Sequence, residues 1–190
     1  MKNRIDYNAP VTLSFFLLSF GVLLLNFMTL GLSNKLLFMT YRAPLTDPFT
    51  WLRFFGHVLG HTGWEHFTGN MMLLLAVGPA LEEKYGSRQL LIAILITAFL
   101  SGLVYFIFFP GTGILGASGI VFMMILLSSL SGMKDGKIPL TLLLVGAMYF
   151  GKEIHDMVFL HDGTANLAHM TGGICGTLAG FIMEKKGAKE

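Results

Sequence analysis

The chain has 190 residues, enough for one domain or one compact membrane bundle. Hydrophobic residues make up 54% and charged residues 13%, about half the charged share of an ordinary soluble domain, which excludes a disordered chain and a coiled coil. The net charge of +2 offers no basic footprint for nucleic acid, and the single cysteine, Cys175, excludes an intrachain disulfide and any multi-cysteine metal site.

What remains is a polytopic membrane protein, rich in Phe, Met and Gly. Residues 11–32 run without a charge, and about 20 apolar residues cross a hydrocarbon core, so this segment spans. Its core is too long for a signal peptide and no small-x-small cleavage site follows, so it reads as an uncleaved first helix. Residues 33–64 then form a long loop carrying Trp51, Phe54, Phe55 and Trp64 beside Arg53, His57 and His61. Amphipathic rings settle at the headgroup interface, and the loop is expected to lie partly in the outer leaflet.

Residues 65–81 predict a second span, in which His66 and Asn70 are four apart and share a helical face near its outer end. Residues 89–109 are a third. The fourth, 118–131, rises only about 21 Å against a hydrocarbon core of roughly 30 Å. The segment leading into it, PGTGILGASG, therefore places irregular backbone at membrane depth, which is tolerated only in protein or beside a wet cavity. Residues 138–151 and 164–183 are the fifth and sixth spans. The expectation is an all-α protein, a single membrane domain over 1–190 of six helices with a short, recessed fourth.

Six crossings put both termini on one side. That side carries nine Lys and Arg (Lys2, Arg4, Lys84, Arg88, Lys134, Lys137, Lys185, Lys186 and Lys189), against four on the other (Lys35, Arg42, Arg53 and Lys152). The positive-inside bias places the termini in the cytoplasm, and the pocket above Ser118 then opens outward.

Ser118, bracketed by Gly116 and Gly119, stands where a loop becomes a helix, and exposed amides at a helix start suit a developing oxyanion. The motif alone serves equally as a plain serine cap with glycines for close packing. His169 lies about five residues into the last span, and an ionisable residue inside a membrane is a functional candidate. Gly172, Gly176 and Gly180 follow at intervals of four, a pattern that lets a neighbouring backbone approach closely. Packing that face on the helix that starts at Ser118 would bring serine and imidazole together, and a serine beside a neutral imidazole is an activated nucleophile. His66 and Asn70 can donate hydrogen bonds to an oxyanion, or can simply be solvated at the interface.

In this order and topology the residues resemble the rhomboid family of intramembrane serine proteases, over essentially the whole chain. GHVLGHTGWEHFTGN (56–70) resembles the family's histidine run ending in H-x-x-x-N, and ALEEKYGS (80–87) its E-x-x-x-G-S turn. GASG (116–119) resembles the G-x-S-G nucleophile motif, and AHMTGGICG (168–176) the A-H-x-x-G-x-x-x-G of the sixth helix. The resemblance implies Ser118 as nucleophile and His169 as general base and acid, a dyad without a carboxylate. It implies an oxyanion hole from His66, Asn70 and the Ser118 backbone N–H. Arg53 would match the arginine of a Trp-Arg pair in the outer loop, Glu82 a structural glutamate, and His57 and His61 loop histidines that hydrogen-bond the loop and cavity water. Two positions depart from the pattern: Leu52 precedes Arg53 where the family has Trp, and Phe122 stands where many members have a Tyr packing on the histidine.

By that resemblance the chain cleaves transmembrane segments of other proteins near the outer face of a bilayer, needing no cofactor and no metal. Substrates with helix-weakening residues near the scissile bond would be favoured, because the helix must unwind first. A bare six-helix chain suggests a bacterial inner membrane. Two rival readings are an inactive binder of the same fold and a transporter whose His57, His61 and His66 converge on a metal ion or proton. Against the transporter, the interiors of the predicted spans carry no Asp, Glu, Lys or Arg for a relay, and GASG and His169 are left unexplained; against the inactive binder, Ser118 and His169 are both kept.

Overall fold

The computed structural model describes residues 6–131, 133, 137–159 and 163–187, with the side chains of 156–158, 163–166 and 185–187 left aside. Lys2, Arg4, Lys134 and Lys189, which enter the charge bias, lie outside the described residues. The chain is mostly helical. Its elements are α1 (Pro10–Met28), a π-helical turn (Asn34–Phe38), β1 (Thr40–Tyr41), α2 (Pro48–Gly56), a 3-10 turn (His57–Leu59), α3 (Trp64–Tyr85), α4 (Ser87–Phe108), β2 (Gly113–Ile114), α5 (Ser118–Leu130), α6 (Leu140–Phe159) and α7 (Gly163–Gly187).

The short helix predicted from Ser118 is the centre of the molecule. Ile120, Met123, Leu127 and Leu130 of α5 are fully buried, and Val121, Met124 and Leu126 nearly so. α7 packs on α5 more extensively than any other pair of helices, with α3, α4 and α6 completing the surround. The outer helices invert the soluble pattern. Leu17, Leu18, Leu24 and Leu25 of α1 and Leu91, Ile92, Leu95 and Ile96 of α4 all face outward. A continuous outward apolar band of this kind suits lipid as the solvent. Among the described residues two helices, Pro10–Met28 and Ser87–Phe108, are long and apolar enough to cross a membrane, with mean hydropathies of 2.1 and 2.6.

Three expectations are corrected. α1 stops at Met28 instead of 32, because Leu30 (φ 53°) and Gly31 (φ 92°) turn the chain left-handed and the Gly31 N–H closes on the Asn26 carbonyl at 2.9 Å. The loop 33–64 is largely folded, with two helical turns and a nine-residue helix, α2, started by Pro48 and capped where Asp47 accepts from the Phe49 N–H at 3.0 Å. The fifth helix runs to Phe159 instead of 151, so Lys152 and Glu153 are helical residues and not the start of a loop.

The all-α description has one small exception that matters for position. β1 pairs antiparallel with β2, Thr40 opposite Ile114 and Tyr41 opposite Gly113. This ladder fastens the outer loop to the strand that leads into Gly116–Ser118. At the other end, the Glu82 carboxylate accepts from the Val11 and Thr12 amides at 2.8 and 2.9 Å and from the Thr12 hydroxyl at 2.9 Å. Ala9, which precedes α1, supplies no side-chain cap, so a carboxylate from α3 satisfies the free amides of the first turn.

Candidate active site

The loop before Ser118 is held from three directions. The Gly116 N–H donates to the His57 carbonyl at 2.9 Å, Ala117 is fully buried, and the β1–β2 ladder fixes the strand just upstream. Gly116 is required twice over. Its φ of 136° is one that side chains rarely adopt, and a Cβ there would lie 2.7 Å from the His66 imidazole. The same crowding places His66, from the first turns of α3, directly beside the Gly116–Ser118 turn.

The glycines of α7 meet the start of α5. A Cβ on Gly119 would sit 3.3 Å from the Ala168 carbonyl oxygen. A Cβ on Gly172 would collide with the Gly119 carbonyl, and one on Gly176 with that of Met123. Two helices can approach this closely only where both present bare backbone. Ser118 is thus the neighbour of a residue in contact with Ala168, itself the neighbour of His169. The His169 ring lies flat on Phe122, one turn after Ser118, with centroids 4.7 Å apart and 6° between the planes. Among the described residues no hydrogen bond joins the Ser118 hydroxyl to the His169 ring; in free enzymes such bonds are often long until substrate closes the site.

Asn70 is buried one turn below His66, its Nδ2 donating to the His66 carbonyl at 3.0 Å. The His66 Nδ1 lies 3.2 Å from the Thr62 hydroxyl, and the ring stands on the side of α3 that faces His169. His66, Gly116, Ser118 and His169 therefore gather at one end of the bundle, with Asn70 just beneath.

The two loop histidines do different work. The His57 ring turns to α4, where its Nε2 donates to the Ala98 carbonyl at 3.0 Å. That leaves its Nδ1 bare and without a partner. Burial holds this imidazole neutral, its pKa pushed down to about 4. His61 pairs its Nδ1 with the Leu59 carbonyl at 3.2 Å and sets its ring edge-on to His66, centroids 5.1 Å apart. Burial and the His66 ring beside it likewise push it to about 4. His57 therefore points away from the other two. Among the described residues no three His, Cys, Asp or Glu side chains converge as metal ligands.

Arg53 is 3% exposed and ties the outer loop to itself. Its guanidinium meets the Asp47 carboxylate at 2.6 Å, its Nε donates to the Phe49 carbonyl at 2.9 Å, and its charge lies 4.4 Å over the Tyr41 ring. Tyr41 is therefore the aromatic partner of Arg53, and Leu52 points outward.

One residue was missed by the sequence reading. Glu153 of α6 is 2% exposed, and its Oε1 lies 3.2 Å from the His169 Nδ1. Ending the fifth helix at 151 had put Glu153 in a loop, and the claim that no acidic residue lies inside the bundle is overturned. The signal was present: from Lys152 to Phe159 there is no Gly or Pro, and Ile154, Met157, Val158 and Phe159 continue the apolar content.

The motifs that carry this geometry are also those by which the chain can be classified. The rhomboid domain model matches residues 48–186, well over half the chain and including all of α2 to α6 and nearly all of α7. Rhomboids are generally intramembrane serine proteases, and the outward apolar band agrees with a protein of the membrane. On this match, the chain belongs to the rhomboid family.

Proposed function

We propose that the chain is an active intramembrane serine endopeptidase that cleaves transmembrane segments of other membrane proteins through Ser118 and His169. The observation that carries the proposal is the backbone contact of Gly119 with Ala168 and of Gly172 with Gly119, which sets the α5 start against the His169 turn of α7. Ser118 Oγ attacks the peptide carbonyl, and His169 takes its proton and returns it to the leaving amine. The Ser118 N–H, at the positive end of α5, with His66 and Asn70 beside it, stabilises the oxyanion. Asn70 is spent on its own helix in this state, and a side-chain rotation would free its amide for substrate. Gly116, Gly119, Gly172 and Gly176 act by allowing the approach; Phe122 holds the imidazole; His57, His61, Arg53 and Glu82 hold the scaffold.

The same reading takes the chain as one membrane domain over 1–190 that crosses the bilayer six times, with both termini cytoplasmic and the site opening outward. α5, with 13 residues, rises about 20 Å, too little to cross alone, which supports a site sunk below the outer surface. A bacterial inner membrane is the proposed location.

The test is cleavage of a fluorescent transmembrane substrate with Gly or Ala near the outer face, in liposomes. Wild type is expected to cut, and Ser118→Ala and His169→Ala to fall to background while remaining folded. Cutting that persists without Ser118 would overturn the nucleophile assignment. If several such substrates are left whole, the inactive binder takes its place.

A further inference from the structure

Glu153 is an unusual side chain for its position. It lies in α6 and is 2% exposed, whereas Leu143, Leu144, Met148 and Ile154 of the same helix face outward. A carboxylate at such a place is costly unless it is paired, and such residues inside membrane bundles are kept for function. Its Oε1 is 3.2 Å from the Nδ1 of His169, the imidazole already placed by its stack on Phe122. The contact is an ion-pair approach and not yet an aligned hydrogen bond, because Nδ1 has no partner along its in-plane N–H direction. A modest rotation of the ring aligns it, of the kind catalytic groups make when substrate binds.

We infer that Glu153 is a positioning residue for His169, so that the proteolytic set of this chain is Ser118–His169–Glu153 and not a serine–histidine pair alone. The inference rests on the protease reading of the same site. A carboxylate only accepts, so it selects the tautomer with the proton on Nδ1 and leaves Nε2 bare. Nε2 is then the nitrogen that takes the Ser118 proton as Oγ bonds to the carbonyl carbon and the carbonyl electron pair moves to oxygen. As the tetrahedral species collapses and the C–N bond breaks, the same proton passes from Nε2 to the leaving nitrogen. Glu153 gains and loses nothing; it holds the ring and stabilises the imidazolium between the two transfers. Among the described residues, the titratable groups that face the ring are Glu153 from α6 and His66 from α3. α5 contributes the Phe122 ring, one turn after Ser118. The only charged residue of α4, Arg88, is at the opposite end, where Lys84 meets Glu184.

A purely structural ion pair joining α6 to α7 would have the same static geometry, so the test must separate the two. Glu153→Gln and Glu153→Asp are compared with wild type in the liposome assay, each with its thermal midpoint in detergent. The expected result is a kcat lower by on the order of 10²-fold for Glu153→Gln with little change in KM, and partial recovery in Glu153→Asp. The nitrogen-15 shifts of the His169 ring give a readout that needs no turnover: Glu153→Gln should redistribute the proton between Nδ1 and Nε2. A wild type that cuts nothing would sink the protease reading, and the ring shifts would still decide whether Glu153 sets the tautomer. Wild-type kcat and an unchanged tautomer in Glu153→Gln would overturn the inference. A fall in the thermal midpoint with kcat intact would reduce Glu153 to a structural pair.

Discussion

Phe122 and His169 lie face to face, their planes 6° apart, and Tyr149 of α6 closes the back of the stack edge-on to Phe122 at 4.5 Å. Phe122 belongs to the same helix as Ser118, one turn on, so the stack fixes the imidazole relative to the nucleophile. An aromatic pair contributes about 0.5–1.5 kcal/mol beyond its burial, and the upper end corresponds to about tenfold in rate. Phe122→Ala is therefore expected to lower kcat by roughly tenfold, while Phe122→Tyr, which keeps the ring, stays near wild type. The liposome cleavage assay measures both. Equal rates for wild type and Phe122→Ala would mean that the ring merely fills space.

How far this site could be read in advance differs from residue to residue, for physical reasons. The interval of four between Gly172, Gly176 and Gly180 is a helical period, so the α5–α7 contact was legible as a pattern. The helix start at Ser118 was legible because it follows a glycine-rich run and opens a short apolar stretch. Glu153 was not, since a span read by hydropathy ends at its first charges, whereas a helix ends only where the backbone cannot continue. Lys and Glu are good helix formers, and α6 simply runs through them. The fold of the 33–64 loop was illegible for another reason. Its order comes from contacts remote in sequence: Asn34 donating to the His61 carbonyl at 2.9 Å, Thr40 to that of Arg53 at 2.7 Å, and the ladder to Gly113–Ile114. Local propensity carries no trace of such pairings.

The glycines of α7 are not equivalent to those elsewhere, and substitution should separate them. A methyl group on Gly172 meets the Gly119 carbonyl, which is backbone and cannot turn aside. Gly172→Ala must push α7 off α5 at the level of Ser118, at a cost of about 1–3 kcal/mol and more if the helices cannot slide. Both the thermal midpoint and cleavage should fall. Gly21 of α1 has nothing within 4 Å of its would-be Cβ, so Gly21→Ala should be neutral or stabilising by about 0.5–1 kcal/mol. Similar midpoints for the two variants would contradict the close approach of α5 and α7.

The neutral loop histidines make stability depend on pH. Burial holds both His57 and His61 near pKa 4, against an unfolded value of 6.5. Between those values the unfolded chain binds more protons than the folded one, so each ring's contribution is intact above about pH 6.5 and is lost as pH falls toward 4. The loss amounts to about 2 kcal/mol per ring by pH 5. The main-chain carbonyls of these two residues brace the site, that of His57 accepting from the Gly116 amide and that of His61 from the Asn34 side chain, so charging the adjoining rings should loosen the Gly116–Ser118 turn before the helices part. The thermal midpoint in detergent is expected to drop steadily from about pH 7 to pH 5. His57→Gln keeps an amide that can donate to the Ala98 carbonyl but removes a titrating ring, so its midpoint should fall less steeply over that range, even if it starts lower at neutral pH. A midpoint independent of pH over this interval would mean that these imidazoles are not held neutral by burial.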